Sequence, residues 1–163
     1  MGIEEHRDWD SVDYTSLLSG GLFPPDFMWG VATASHQIEG GNTNNWSAFE
    51  PHSKSGQLSG DACDHWNRKE QDIQLIKDLN VSHYRFSIEW SRIEPQQGIW
   101  DDDAIQWYSD LVDQLLAKGI QPMATLHHFT HPLWWDEKGG FENENNIDDW
   151  IRFCVKMFEV LSD

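Results

Sequence analysis

Residues 119–135 read GIQPMATLHHFTHPLWW, a short apolar segment that runs into a group of imidazoles and then into aromatic residues. The lead-in over 121–126 is largely apolar and follows Gly119, which is typical of a buried parallel strand that comes after a helix. A ring nitrogen at the end of a buried strand must find a hydrogen-bond partner. The segment therefore predicts a strand whose carboxyl end contributes to a functional site.

Strands and helices alternate along the rest of the chain. Hydrophobic patterning predicts strands at 27–34, 81–90 and 121–126, and helices at 64–79, 104–118 and 147–161. Repeated βα units form a parallel sheet, and here the loops after strands are long while those after helices are short. In a (β/α)8 barrel, that asymmetry marks the C-terminal face, where active sites lie.

Two α/β architectures fit this pattern. One is the N-terminal part of a (β/α)8 barrel, comprising about three βα units, and the other is a small sheet with two open edges. A doubly wound nucleotide-binding sheet fits less well, because no Gly-rich phosphate turn follows the first strand. The alternating units occupy residues 22–163, and we expect residues 1–21, which are acidic and polar, to form a flexible extension.

The predicted strand 81–90 carries charged side chains on one face. Alternation places Arg85, Ser87 and Glu89 on one side and aromatic or aliphatic residues on the other. Buried charges are costly unless they are paired. Either Arg85 and Glu89 form an internal ion pair, or Arg85 awaits a carboxylate from another segment.

Composition limits the classes of partner. The chain has 28 acidic and 11 basic residues, a formal net charge of −17, which argues against nucleic acids and anionic membranes but is compatible with a neutral ligand. No apolar run approaches the ~20 residues of a membrane span. The first residues lack the pattern of a secretory signal, so we expect a cytoplasmic protein. Cys63 and Cys154 are expected to be buried, reduced thiols.

Two kinds of polar side chain near predicted strand ends are candidate ligand-binding groups. Gln37 offers one acceptor and two donors, which suits adjacent sugar hydroxyls, although it also suits the backbone of its own loop. His127, His128 and His131 raise the question of a metal. We expect none, because neighbouring residues of a strand point to opposite faces.

Four ordered blocks of the sequence resemble a known family. FPPDFMWGVATASHQIEG (23–40), DACDHW (61–66), YRFSIEWSRI (84–93) and TLHHF (125–129) are similar to the N-terminal blocks of glycoside hydrolase family 1, the β-glucosidase family. Members are (β/α)8 barrels that hydrolyse β-glycosidic bonds with retention. The resemblance covers residue 22 to the end and implies that residues 22–163 are the first three βα units of a glycosidase barrel. It also implies a hydrolase that acts on a β-glycoside or oligosaccharide, with no cofactor or metal.

The same resemblance implies roles for individual residues. Gln37 and His128 match residues that bind the hydroxyls of the terminal sugar. Arg85 matches the arginine that contacts the nucleophile and keeps it ionised, as expected of a cation beside a carboxylate. Phe129 and Trp135 are further candidates for sugar contact. Many members carry Trp at the position of Phe129, and since Phe has no donor, we expect the sugar preference to depend on this position.

The family's two catalytic motifs are not in the sequence. Retaining glycosidases need an acid/base and a nucleophile about 5–5.5 Å apart. In this family they lie in Asn-Glu-Pro and Glu-Asn-Gly motifs, whereas Glu39 and Glu89 belong to other blocks and are expected to be structural. We therefore expect these 163 residues to be inactive alone. A non-catalytic sugar-binding or interaction module and a chain that does not fold stably alone are the alternatives.

Overall fold

Three parallel strands form the centre of the structure, a computed structural model that describes residues 23, 24 and 26–162. The strands β1 (Gly30–Ala32), β2 (His83–Ser87) and β3 (Gln121–Thr125) pair in the order β1-β2-β3. This sequential order is what consecutive βα units produce. The predicted extension over residues 1–21 lies outside the described residues.

Seven α-helices accompany the strands in the described part of the chain. They are α1 (Ser35–Ile38), α2 (Asn45–Phe49), α3 (His65–Asp78), α4 (Trp90–Ile93), α5 (Asp102–Ala117), α6 (Leu133–Asp136) and α7 (Ile147–Leu161). The long helices α3, α5 and α7 each complete one βα unit, which confirms the three predicted units. None of these described helices has the length and apolarity that crossing a membrane requires.

The core lies between the sheet and the long helices. Tyr84, Phe86 and Ile88 are buried, so the alternation predicted for β2 is confirmed on this face. Leu111 and Leu115 of α5 are buried against the same cluster, at the spacing of one helical stripe.

Local signals in the sequence set the helix boundaries. The Asp101 side chain accepts a hydrogen bond from the Ala104 N–H at 2.9 Å, so it caps α5. Gly119 after α5 and Asn80 after α3 have φ values of +74° and +56°, as expected of residues that end helices in the left-handed conformation. The short helix–strand connections therefore agree with the prediction.

The other face of the sheet carries no helix in the described part of the chain. Arg85 lies on this face, half-buried, and its Nε donates to Thr125 Oγ1 at 2.8 Å. The internal Arg85–Glu89 ion pair is not formed, because the chain leaves the strand at Ser87 and Glu89 enters the turn that precedes α4. In the described residues neither β1 nor β3 pairs with a further strand, so both edges of the sheet are open.

The prediction of a buried thiol at Cys63 is wrong. Cys63 is exposed, because it belongs to the turn that precedes α3 rather than to the helix itself. Its neighbours Ala62 and Asp64 both have positive φ. Cys154 in α7 is partly buried, and burial raises the pKa of its thiol.

Candidate functional site

A cavity of about 270 Å³ lies where the segments after β1 and β3 meet. It is lined by Ala34, His36, Gln37, Trp46, His128, Phe129 and Thr130. Three of the residues singled out from the sequence are thus brought together from segments about 90 positions apart. The cavity lies at the carboxyl ends of the strands, the end of a βα sheet at which ligands bind.

Gln37 and His128 offer free polar groups to this cavity. Gln37 is exposed on α1, and its side-chain amide makes no hydrogen bond to any other described residue. The alternative that Gln37 serves the backbone of its own loop is therefore not supported. The His128 ring packs edge-on against Phe129 at 5.1 Å between centroids, and likewise no described residue hydrogen-bonds its nitrogens.

His36 forms a fixed part of the cavity wall. Asn44 Oδ1 accepts from the Ser47 N–H at 2.8 Å, so Asn44 Nδ2 donates to His36 Nδ1 at 3.1 Å. The proton of His36 must then be on Nε2, which donates to Glu50 Oε1 at 2.9 Å. Burial acts to raise the pKa of Glu50, but hydrogen bonds from Ser59 and His36 outweigh it and lower that pKa. The imidazole is thus held in one orientation.

Glu89 is not one of the residues that line the cavity, but it is hydrogen-bonded to one of them, Thr130. The carboxylate is fully buried and accepts hydrogen bonds from Ser91 Oγ at 2.7 Å, Thr130 Oγ1 at 2.9 Å and Ser35 Oγ at 3.1 Å. Because Ser35 follows β1 and Thr130 follows β3, these bonds tie both walls of the cavity to the end of β2.

Glu39 is a second buried carboxyl group and also lies outside the cavity. It accepts hydrogen bonds from the Tyr108 hydroxyl and from Arg92 Nε, the latter at 3.0 Å. Burial raises the pKa of Glu39 to about 7 against the opposing effects of Tyr108 and Arg92, and the charge of Glu89 acts in the same direction as burial. Among the described residues, no Asp or Glu side chain lines the cavity.

His127 is not one of the lining residues of the cavity. Both His127 and His128 lie beyond the end of β3 at Thr125, so strand alternation does not decide where their rings lie. Its ring packs edge-on against Phe141 at 4.9 Å, and burial, together with His131 and His128, lowers its pKa to about 4. His131 Nε2 lies 3.0 Å from Asp136 Oδ1. No group of three or more potential metal ligands occurs within the part of the chain that the structure describes.

Two tryptophans, Trp135 and Trp46, differ in whether their rings reach the cavity. Trp135, a candidate for sugar contact, is 1% exposed and packs in the core at 4.9 Å from the Trp90 ring. The single turn of α6 directs its ring inward, so it is not at the cavity. Trp46 does line the cavity and is 46% exposed. The available signal for Trp46 was an aromatic residue within a long polar loop after a strand.

Arg85 lies on the open face of the sheet and is not one of the residues that line the cavity. Its Nε is bound to Thr125, whereas its two terminal NH2 groups have no hydrogen-bond partner among the described residues. A partly buried guanidinium of this kind can take a bidentate carboxylate.

Comparisons with known proteins identify the family. The sequence model of the protein family described as glycosyl hydrolase family 1 matches residues 19–163. Beta-glucosidase A of Thermotoga maritima is 39% identical over 152 residues, which cover 86% of this chain and 34% of that protein. The structure of a beta-glycosidase from Pyrococcus horikoshii matches with 47% identity and a TM-score of 0.80, covering 85% of this chain and 33% of that chain.

A further solved structure supports the same architecture for this chain. The family 1 beta-glucosidase from Exiguobacterium antarcticum matches with a TM-score of 0.83 and 38% identity over 86% of this chain and 34% of that one. The chain therefore spans about a third of the length of these relatives. These structural neighbours are (β/α)8 barrels, which confirms the predicted fold class of a partial barrel. The chain belongs to glycosyl hydrolase family 1.

Proposed function

We propose that this chain is the N-terminal part of a retaining β-glycosidase of the β-glucosidase type, which hydrolyses terminal β-linked sugars. The observation that carries the proposal is the cavity in which Gln37 and His128 offer unused polar groups beside Trp46 and Phe129. The family to which the chain belongs and the names of its relatives, which are beta-glucosidases, agree with this proposal.

The chemistry of the cavity wall suits one sugar ring. The Gln37 amide can donate to one hydroxyl and accept from the next, and the His128 ring offers two nitrogens to neighbouring hydroxyls. Trp46 and Phe129 supply apolar surface for the C–H face of the ring. Since Phe129 has no donor, the sugar hydroxyl nearest this ring receives no hydrogen bond from it.

We assign Arg85 the role of holding the catalytic nucleophile. Its free NH2 groups lie on the face of the sheet that carries no helix in the described residues, which is the inner side of a barrel. A guanidinium beside a carboxylate lowers the carboxylate's pKa and so keeps a nucleophile ionised.

The acid/base and the nucleophile are proposed to come from further βα units. No carboxyl group lines the described cavity, and the two family motifs are absent from these 163 residues. Without that pair only binding and orientation remain, so we expect little or no hydrolysis by this chain alone.

The second candidate is a non-catalytic sugar-binding module. The same observation supports it, because the cavity contains binding groups and no carboxyl group among the described residues. The two candidates agree on sugar binding and differ in whether the chain supports hydrolysis when the other barrel units are present.

A chimaera separates the two candidates. The 163 residues are joined to the part of Thermotoga maritima beta-glucosidase A that follows its matched region, and chromophore release from an aryl β-glucoside is measured. Hydrolysis by the chimaera and not by the chain alone is the expected result. A folded chimaera that binds the glucoside without hydrolysing it would favour the non-catalytic module.

Point variants of the chimaera test the site residues. Gln37→Ala and His128→Ala are each expected to lower kcat/KM about tenfold or more, since each removes at least one hydrogen bond to the sugar. Gln71→Ala is the matched control, because Gln71 is exposed on α3 away from the cavity. Equal kcat/KM values for the three variants would contradict the assignment of the cavity as the sugar site.

A further inference from the structure

We propose that Asn45 is a positioning residue that holds the two walls of the cavity together and thereby sets its affinity for the sugar. The sugar part of this inference rests on the proposed function. Asn45 makes three hydrogen bonds to the segment after β3. Its backbone N–H donates to His131 O at 3.1 Å, its Oδ1 accepts from the His131 N–H at 2.9 Å, and its Nδ2 donates to Phe129 O at 3.3 Å.

The pattern of donors and acceptors is specific to an amide side chain. Oδ1 binds an N–H and Nδ2 binds a carbonyl, so the partners determine which side-chain atom is oxygen and which is nitrogen. An aspartate at position 45 supplies only acceptors, and an alanine supplies neither group. Asn45 thus satisfies the backbone on both sides of Thr130 in the way that a neighbouring strand would.

Phe129 needs such a partner because of its backbone conformation. Its φ is +68°, in the left-handed region that bulky side chains rarely adopt. The carbonyl of Phe129 is the group that Asn45 Nδ2 holds, which fixes the peptide that follows the unusual residue. The Phe129 ring, 69% exposed, is thereby kept at the cavity beside His128.

Asn45 is equally well fixed to the opposite wall. Its preceding neighbour Asn44 caps α2 and binds His36, and its following neighbour Trp46 lines the cavity. Residues 44–46 therefore contact the wall formed after β1 and the wall formed after β3. A sugar that is bound by Gln37 and His128 at the same time requires these walls to keep a constant separation.

The test uses nitrogen-15-labelled samples of the 163-residue chain and reads two quantities by NMR. The first is the hydrogen-exchange rate of the His131 amide, which reports the hydrogen bond to Asn45 Oδ1 without any ligand. The second is the Kd for methyl β-D-glucopyranoside from a titration. Asn45→Ala is expected to raise the exchange rate and the Kd about tenfold each, the effect of one or two lost hydrogen bonds.

Two further variants make the interpretation specific. Asn45→Asp retains the acceptor for His131, so amide protection is expected to persist while Kd still rises, because Phe129 O loses its donor and faces a carboxylate. Asn67→Ala is the matched control, since Asn67 makes one side-chain bond to Asp64 away from the cavity. It is expected to leave both quantities unchanged.

A double-mutant cycle tests the link to the backbone of Phe129. Glycine adopts positive φ without strain, so Asn45→Ala is expected to raise Kd less in a Phe129→Gly background than in the unaltered chain. Unchanged His131 exchange in Asn45→Ala, or lost protection with unchanged Kd, would overturn the proposal. Absence of sugar binding by the unaltered chain would count against the proposed function, while the exchange rates would still decide whether Asn45 holds the loop.

Discussion

Replacing Glu39 by Gln is expected to change how the stability of the chain depends on pH. The Glu39 carboxyl is 2% exposed, and burial raises its pKa from 4.5 to about 7. The folded protein therefore binds this proton more tightly than the unfolded chain does. The resulting stabilisation is fully present below pH 4.5 and is lost as the pH rises through about 7.

The size of the effect follows from the two pKa values. They differ by about 2.5, and each pKa unit corresponds to about 1.4 kcal/mol, so the pH-dependent contribution is about 3 kcal/mol. That is a large part of the roughly 5–15 kcal/mol that stabilises an ordinary domain. Gln cannot ionise, so the variant lacks this dependence even though its contacts with Tyr108 and Arg92 are altered at every pH.

Urea unfolding followed by tryptophan fluorescence, repeated between pH 4.5 and 8.5, measures the contribution. The free energy of unfolding of Glu39→Gln relative to the unaltered chain is expected to shift by about 3 kcal/mol in favour of the variant as the pH rises. Glu70→Gln, on the exposed side of α3, is the control for removal of a carboxyl group. A difference that stays constant across this pH range would show that Arg92 and Tyr108 keep Glu39 ionised, and would refute the reasoning.

Three further predictions concern backbone space, capping and charge. Gly40→Ala is expected to lower the free energy of unfolding, measured in urea, by about 2 kcal/mol more than Gly41→Ala does. Both glycines have positive φ, but only at Gly40 would a Cβ collide with Asp61 O. Equal losses in the two variants would contradict this reasoning. Asp101→Ala should lower the free energy of unfolding by about 1 kcal/mol, because the N-cap of α5 is lost. Asp101→Asn should lower it much less, since an Asn side chain also caps a helix. The net charge of −17 should destabilise the folded chain by self-repulsion, so its melting temperature is expected to be several degrees higher in 1 M than in 0.1 M NaCl. The added salt shortens the screening length from about 10 to about 3 Å. An unchanged melting temperature would argue against self-repulsion.

The regular elements were predictable from local patterns. The long helices have apolar stripes at helical spacing, and residues such as Asp101 and Gly119 mark their ends. The strands were predicted too long. Phe27 and Trp29 precede β1, whose register with β2 begins at Gly30, although the Trp29 carbonyl still accepts from the His83 N–H at 3.0 Å. Glu89 lies beyond β2 because its N–H binds the Tyr108 hydroxyl rather than a neighbouring strand.

The site was predictable only where residue type and position after a strand coincide. Gln37 lies in α1, which follows β1, and His128 and Phe129 lie in the loop after β3; the structure places all three at one cavity. Trp46 and Trp135 both lie in segments predicted as long loops, which in the structure contain the short helices α2 and α6. Only the folded path of each segment decides which ring reaches the cavity. The hydrogen bonds of Asn45 link residues 86 positions apart, a relation that no local pattern contains.

The two open edges of the sheet have a consequence for dividing a barrel of this family into two pieces. The proposed sugar-binding residues lie on this side of the division, and the proposed catalytic carboxylates lie on the other. A complementary piece must pair with β1 and β3 together to close the ring, so reassembly is expected to be cooperative and to depend on concentration. Such a pair would form a split reporter, in which glycoside hydrolysis signals that two proteins fused to the pieces have met.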